Sequence, residues 1–135
     1  MRVWVALDAQ RNIIGYYGIN THAIAASELP PFISKRSLAH GALPAAFLST
    51  IGVDQRIQGA GVGTVLLADA LHRIQRVANE IGSYAVFLDV FDCGDPKLVE
   101  RRTAYYKSFG FVLLPDQPLR MFLTMNTIKL LFDEP

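Results

Sequence analysis

A single cysteine, Cys93, is the only thiol in the chain, which excludes a disulfide framework and a Cys-based zinc site. No apolar run approaches the ~18 residues that a membrane-spanning helix requires, and Asp8 arrives too early for a signal peptide. Charge of one sign is also missing. Thirteen Lys+Arg against twelve Asp+Glu leave a formal +1, which argues against a dedicated polyanion binder and leaves room for a local basic patch. Internal repeats and low-complexity segments are absent. What is present is 135 residues, 51% of them hydrophobic, enough for one core and too few for two. The expectation is a single soluble, cytoplasmic domain spanning residues 1–135 that does not enter a membrane.

Val3 to Leu7 is apolar and β-branched, Asp8 to Asn12 supplies turn residues, and Ile13 to Ile19 resumes an apolar run, which is the pattern of a hairpin. Thr21 to Ala26 reads as a third run of the same antiparallel sheet, ended by Pro30-Pro31 and a polar stretch to Gly41. Ala45 to Val53 reads as a buried strand, and Asp54 to Gly63 as a glycine-rich turn. After it Leu67, Leu71, Ile74, Ala78 and Ile81 recur at steps of four and three, with Asp69, His72, Arg73, Arg76 and Glu80 on another face, predicting an amphipathic helix. Tyr84 to Phe91 is nearly all apolar, as in a strand covered on both faces, so Ala45 to Phe91 reads as a βαβ crossover with parallel strands. Pro96 opens a second helix that runs to Gly110. Phe111 to Leu114 is a strand, Pro115 to Pro118 a turn, Arg120 to Asn126 a last strand, and Thr127 to Phe132 a short helical turn.

A strand, then Gly59-x-Gly61-x-Gly63, then a long helix sets free backbone N–H groups at a helix N-terminus, where the dipole favours an anion. Glycine admits both the close approach of phosphate oxygens and positive φ. The spacing is not the G-x-G-x-x-G of a dinucleotide fold, and no Gly-Lys-Ser/Thr follows as in a Walker loop. On the residues alone, two readings stay open: a phosphate cradle, or a tight strand-to-helix turn.

Arg56-Ile57-Gln58-Gly59-Ala60-Gly61 resembles the acyl-CoA loop of the GNAT acetyltransferase superfamily, Arg/Gln-x-x-Gly-x-Gly/Ala, and Ala104-Tyr105-Tyr106-Lys107-Ser108-Phe109-Gly110-Phe111 is similar to its A-x-x-F-Y-x-x-x-G-F segment. Tyr105 replaces the usual Phe. With the stretch from Asp54 to His72 and the closing Arg120 to Met125, the chain looks most like GNAT toxins of bacterial type II toxin–antitoxin pairs, over Val3 to Met125. The resemblance implies an α/β fold with a mixed sheet, antiparallel at its N-terminal part, and a parallel pair splayed around acetyl-CoA. It implies that the main chain of Ile51, Gly52 and Val53 meets the pantetheine arm. Arg56, Gln58, Gly59, Ala60, Gly61, Val62, Gly63 and Thr64 then form the pyrophosphate cradle, and Tyr106, four residues before Gly110, is the general acid. No metal is implied. As partners it implies acetyl-CoA, aminoacyl-tRNA, a ribbon-helix-helix antitoxin and a homodimer. Two departures stand out: the family's N-terminal helices do not precede Val3, and Asp92 to Val99 is several residues longer than usual, implying a changed acceptor pocket.

The chemistry fits an α-amine acceptor, because a group with pKa about 7.8 is roughly a tenth to a fifth neutral at pH 7 and can react without a dedicated base. His22, His40 and His72 stay unassigned as bases. Arg73 and Arg76, and separately Arg101, Arg102 and Lys107, form candidate RNA-facing clusters, with Lys35 and Arg36 adding to them. A solvated helix face balanced by Asp69 and Glu80 explains the same residues. Cys93, with no nearby His, is a poor acyl carrier. The expected activity is acetylation of the α-amine of aminoacyl-tRNA, blocking translation. Its alternatives are a small-molecule or protein amine N-acetyltransferase and a catalytically inactive CoA-binding module.

Overall fold

The computed structural model describes residues 1–30 and 42–132. The first hairpin pairs β1 (Arg2–Leu7) with β2 (Ile13–Ala25) in antiparallel register. Its turn is built on Asp8, whose Oδ1 accepts from the amides of Gln10 (2.9 Å) and Asn12 (2.8 Å). The run from Thr21 is not a third strand. It continues β2 past a register shift between Gly18 and Ile19, and Asn20, which reads as a turn residue, instead donates to Ser49 Oγ at 2.6 Å. The polar stretch from Pro31 to Gly41 lies outside the described residues, and so do Lys35, Arg36 and His40.

β3 (Ala42–Val53) is antiparallel to β2, and α1 (Val62–Ile81) carries the chain over to β4 (Ala85–Asp89), parallel to β3. α2 (Pro96–Lys107) follows, with Asp95 Oδ1 capping the Lys97 amide at 3.1 Å. The hairpin of β5 (Val112–Leu114) and β6 (Gln117–Thr124) then closes a six-stranded sheet of order β1-β2-β3-β4-β6-β5. β6 begins earlier than the sequence suggests and takes in Pro118, because β4 pairs only with residues 120 to 124 and asks for no amide there. α3 (Met125–Phe132) starts two residues early, its first turn capped by Thr124 Oγ1, which accepts from the Thr127 amide at 3.3 Å.

The expected βαβ unit and mixed sheet are therefore present. Leu66, Leu67, Ala70, Leu71 and Ile74 bury one stripe of α1 against Leu48, Val86 and Leu88 of the sheet. Alternation along β4 sends Ala85 and Phe87 to a second cluster, where Phe87 stacks on Phe122 at 5.8 Å. The hairpin is tied to α1 by Tyr17, whose hydroxyl donates to Asp69 and accepts from Arg73 Nε at 3.0 Å. Among the described residues no helix is long and apolar enough to cross a membrane, and no group of three His, Cys, Asp or Glu is placed to hold a metal ion.

Candidate active site

β3 and β4 pair only from Ala45 to Leu48 and from Ala85 to Leu88. Beyond Leu48, β3 stays hydrogen-bonded to β2 as far as Val53 while its other edge parts from β4. The gap is a cleft of ≈ 550 Å³. Its walls come from Leu48 and Leu88 at the last paired position, from Ser49, Thr50 and Ile51 of β3, from Asp89, Val90, Phe91 and Asp92 after the splay, and from Tyr16, Arg102 and Tyr106. An open strand edge presents main-chain donors and acceptors to whatever occupies the cleft. Tyr16 lies flat on Gly52, where an added Cβ would fall 2.7 Å from the ring.

At the C-terminal end of β3 the glycine loop forms. Asp54 Oδ1 accepts from the Arg56 amide at 2.9 Å, starting a single turn over Gln55–Ile57, and the Arg56 guanidinium returns to Asp54 Oδ2 at 2.7 Å. That arginine hydrogen bond pulls the Asp54 carboxyl down to about 2. Gln58 Nε2 donates to Val53 O at 3.2 Å. Gly59 and Gly61 hold φ +89° and +85°, and an added Cβ at either would meet nothing within 4 Å. Glycine is thus required by conformation, and the space above both is open. Gly63 lacks positive φ and simply begins the helix against Val53. Gly61, the N-cap of α1, offers no side-chain cap, so the first-turn amides of Val62, Gly63 and Thr64 face outward unpaired by any side chain. Ala60 donates its amide to Ile57 O at 3.3 Å and is turned into the loop.

α2 brings the tyrosines. Tyr106 sits half-buried in the cleft wall, edge-on to Phe111 at 5.8 Å, and its hydroxyl has no hydrogen-bond partner among the described residues. Burial, with a smaller push from Tyr105, raises its pKa above the ordinary tyrosine value, against the pull of Arg102. Tyr105 turns the other way and bonds Thr64 Oγ1 at 2.7 Å, joining α2 to the first turn of α1. The chain leaves α2 through Gly110 at φ +102°, packed against Thr127 and Leu123.

The structure brings Ile51 and Tyr106 together in the cleft and sets the loop from Asp54 to Thr64 at the end of the strand that lines it. Arg56 is held against Asp54 by an exposed ion pair at 2.7 Å. Of the twelve residues that line the cleft, the sequence reading placed only Ile51 and Tyr106 in the site. Tyr16 is placed by Gly52, Arg102 by its bond to Phe91 O at 3.0 Å, and Asp89 by its pairing with Arg120 at 2.8 Å, none of which leaves a spacing signature. No histidine among the described residues lines the cleft: His22 packs on Phe47 and Phe87, and His72 on Phe132. Arg102 leaves its cluster for the cleft, while Arg101 and Lys107 are exposed on α2. Cys93 is exposed.

A glycine loop at the end of a splayed parallel strand, with a tyrosine of the next helix in the adjoining cleft, is the arrangement of a GNAT-type acetyltransferase. No family model matches the chain. It is 46% identical over 130 residues to a probable toxin TacT of Sinorhizobium fredii (strain NBRC 101917 / NGR234), covering 96% of this chain and 72% of that protein. It is 28% identical over 122 residues to a tRNA-acetylating toxin of Mycobacterium tuberculosis (strain ATCC 25618 / H37Rv), covering 90% and 68%. Among solved structures it superposes on AtaT complexed with acetyl-methionyl-tRNAfMet with a TM-score of 0.82 at 22% identity, over 97% of this chain and 75% of that one. A tyrosine-to-phenylalanine mutant of AtaT, bound to the C-terminus of the antitoxin AtaR and acetyl-CoA, gives 0.75 at 21%, over 98% and 73%. The chain belongs to the GNAT toxins of bacterial toxin–antitoxin systems.

Proposed function

We propose that this protein transfers the acetyl group of acetyl-CoA to the α-amine of an aminoacyl-tRNA and thereby blocks translation. The observation that carries the chemistry is a cleft that joins an open strand edge to a tyrosine hydroxyl with no hydrogen-bond partner among the described residues, with an uncapped glycine-loop helix start at the end of the same strand. The acceptor is suggested by the relatives: one is a tRNA-acetylating toxin, and AtaT is solved with acetyl-methionyl-tRNAfMet. Residues 1–135 act as one acetyltransferase domain in the cytoplasm, where charged tRNA and acetyl-CoA occur together. By analogy with AtaT bound to the C-terminus of AtaR, its activity is restrained by an antitoxin; the ribbon-helix-helix type of that antitoxin and a homodimeric active form follow from the family resemblance alone.

The residues divide the work. Amides of Gly59, Gly61, Val62, Gly63 and Thr64 hold the pyrophosphate, aided by the dipole of α1, with Arg56, Gln58 and Ala60 shaping the loop around them. The open edge of Ile51, Gly52 and Val53 holds the pantetheine arm. Bound acetyl-CoA supplies a thioester carbon open to attack by a neutral amine. Tyr106, protonated at pH 7 like any tyrosine, delivers its phenolic proton to the departing sulfur. A phenol is a weaker acid than a thiol, by about 1.5 pK units from ordinary values of ~10 and ~8.5. Donation is therefore driven by cleavage of the C–S bond, and the proton released by the acceptor nitrogen restores the phenol. The acceptor needs no dedicated base, in keeping with a cleft that holds no histidine among the described residues.

The test is to incubate the protein with acetyl-CoA and individually charged tRNAs, then identify aminoacyl-adenosines by mass spectrometry. An N-acetylated aminoacyl-adenosine is expected. Acetylation of polyamines or protein amines with charged tRNA untouched would assign a different acceptor, and binding of acetyl-CoA with no product would make the chain an inactive CoA-binding module.

A further inference from the structure

A second cavity, of ≈ 530 Å³, lies between the outer strands and the C-terminal half of α1 and shares no lining residue with the cleft. Its floor is aliphatic, made by Ile19, Ala46, Ile74 and Val77. Arg2, Arg73 and Arg76 stand in its wall, and among the described residues no Asp or Glu lines it. Arg73 is anchored, with Nε on the Tyr17 hydroxyl at 3.0 Å and the guanidinium 3.7 Å from Asp69. Arg2 and Arg76 are different: neither makes an ion pair among the described residues. Two cations with no ion-pair partner among the described residues thus line a cavity with an apolar floor, in a chain whose formal charge is only +1.

We propose that this cavity binds an acidic peptide segment of a protein partner, with aliphatic side chains entering the floor and carboxylates meeting Arg2 and Arg76. The charge pattern selects the sign of the ligand, since unpaired rim cations steer and orient an anionic partner. The floor selects its kind. An amphipathic acidic segment has aliphatic anchors to bury there, in the manner of a helix in a groove. RNA held through unstacked bases needs open aromatic rings. The rings in this wall are already engaged: Trp4 is stacked on Tyr17 at 5.4 Å and carries Arg73 over its face at 4.6 Å, and His22 packs on Phe47 at 5.3 Å. The site is separate from acetyl transfer, so its occupant and acetyl-CoA can be bound together.

Random peptides displayed on phage, selected against the immobilised protein and then measured singly by fluorescence anisotropy, test this. The selected class is expected to combine Asp or Glu with Leu, Ile or Val. Reversing both free cations, Arg2→Glu with Arg76→Glu, is expected to weaken these peptides about tenfold or more. Val77→Asp, at a position on α1 that is 47% exposed, is expected to abolish measurable binding by charging the floor. Circular dichroism melts establish that these surface variants fold. Saturating acetyl-CoA is expected to leave the peptides bound. Selection of no acidic-aliphatic class, or undiminished binding to the folded charge-reversed variant, overturns the proposal. Displacement of the peptides by single-stranded polyuridylate also overturns it and assigns the cavity to RNA.

Discussion

The two halves of β3 differ sharply although they belong to one strand with one continuous antiparallel partner. From Ala45 to Leu48 the strand is zipped to β4 and feeds both hydrophobic clusters; from Ser49 to Val53 it is half-buried and its β4-facing edge is open. Nothing in backbone type distinguishes them. Losing a single neighbour turns core into cleft, and β2 keeps the freed half straight enough to serve as a template. A site made this way leaves the core intact, so stability and chemistry should separate on substitution.

The largest effect should come from the zipped half. Phe87→Ala, at a wholly buried ring stacked on Phe122, should cost about 3–5 kcal/mol in denaturant unfolding. An unchanged midpoint would show that the zipped half is not where the stability lies. In the open half, Tyr106→Phe should lower turnover about a hundredfold while the melting temperature and acetyl-CoA affinity stay nearly constant. Full turnover would remove the tyrosine from the mechanism. Gly61→Asp should destabilise by about 1–2 kcal/mol through its φ of +85° and should abolish the rise in melting temperature given by acetyl-CoA, with NAD and ATP as controls. A persisting rise would move the pyrophosphate elsewhere.

Smaller effects sharpen the contrast further. Tyr105→Phe, which removes the bond to Thr64 and spares the ring, should lower stability by about 0.5–1.5 kcal/mol and raise the KM for acetyl-CoA more than it lowers kcat. Equal stability and kinetics would mean that the bond restrains nothing. The Asp54 carboxyl, lowered to about 2 by Arg56, makes the smallest contribution. Because its folded pKa lies below the unfolded value, its stabilisation is present above pH 3.8 and fades as pH falls towards about 2. Asp54→Asn should flatten that acid limb in thermal melts, and an unaltered profile would place the acid sensitivity on other carboxylates.

The sequence made the βαβ unit, the glycine loop and Tyr106 legible because each rests on local signals: helical period, positive φ and a motif of fixed spacing. Where it misled, a tertiary partner decided. Asn20 carries the mark of a turn, yet Ser49 on the neighbouring strand claims its amide and β2 runs on. Pro118 marks the end of a strand only if both sides need its missing N–H, and one side does not. Tyr16, Asp89 and Arg102 reach the cleft through long-range placement that no window of sequence contains. Arg73 and Arg76 share a helical face in the sequence, but only the fold adds Arg2 to them and directs Arg102 elsewhere.

The hydrogen bond between Thr64 and Tyr105 spans 41 residues of sequence and stitches the first turn of α1 to α2, the helix that carries Tyr106. Its consequence is evolutionary. Position 105 is where the resemblance leads one to expect Phe, and a lineage with Phe there has no reason to keep a hydroxyl at position 64. The two positions should therefore drift as a pair, Thr with Tyr or neither. A chain that has lost one partner should tolerate loss of the other at no added penalty.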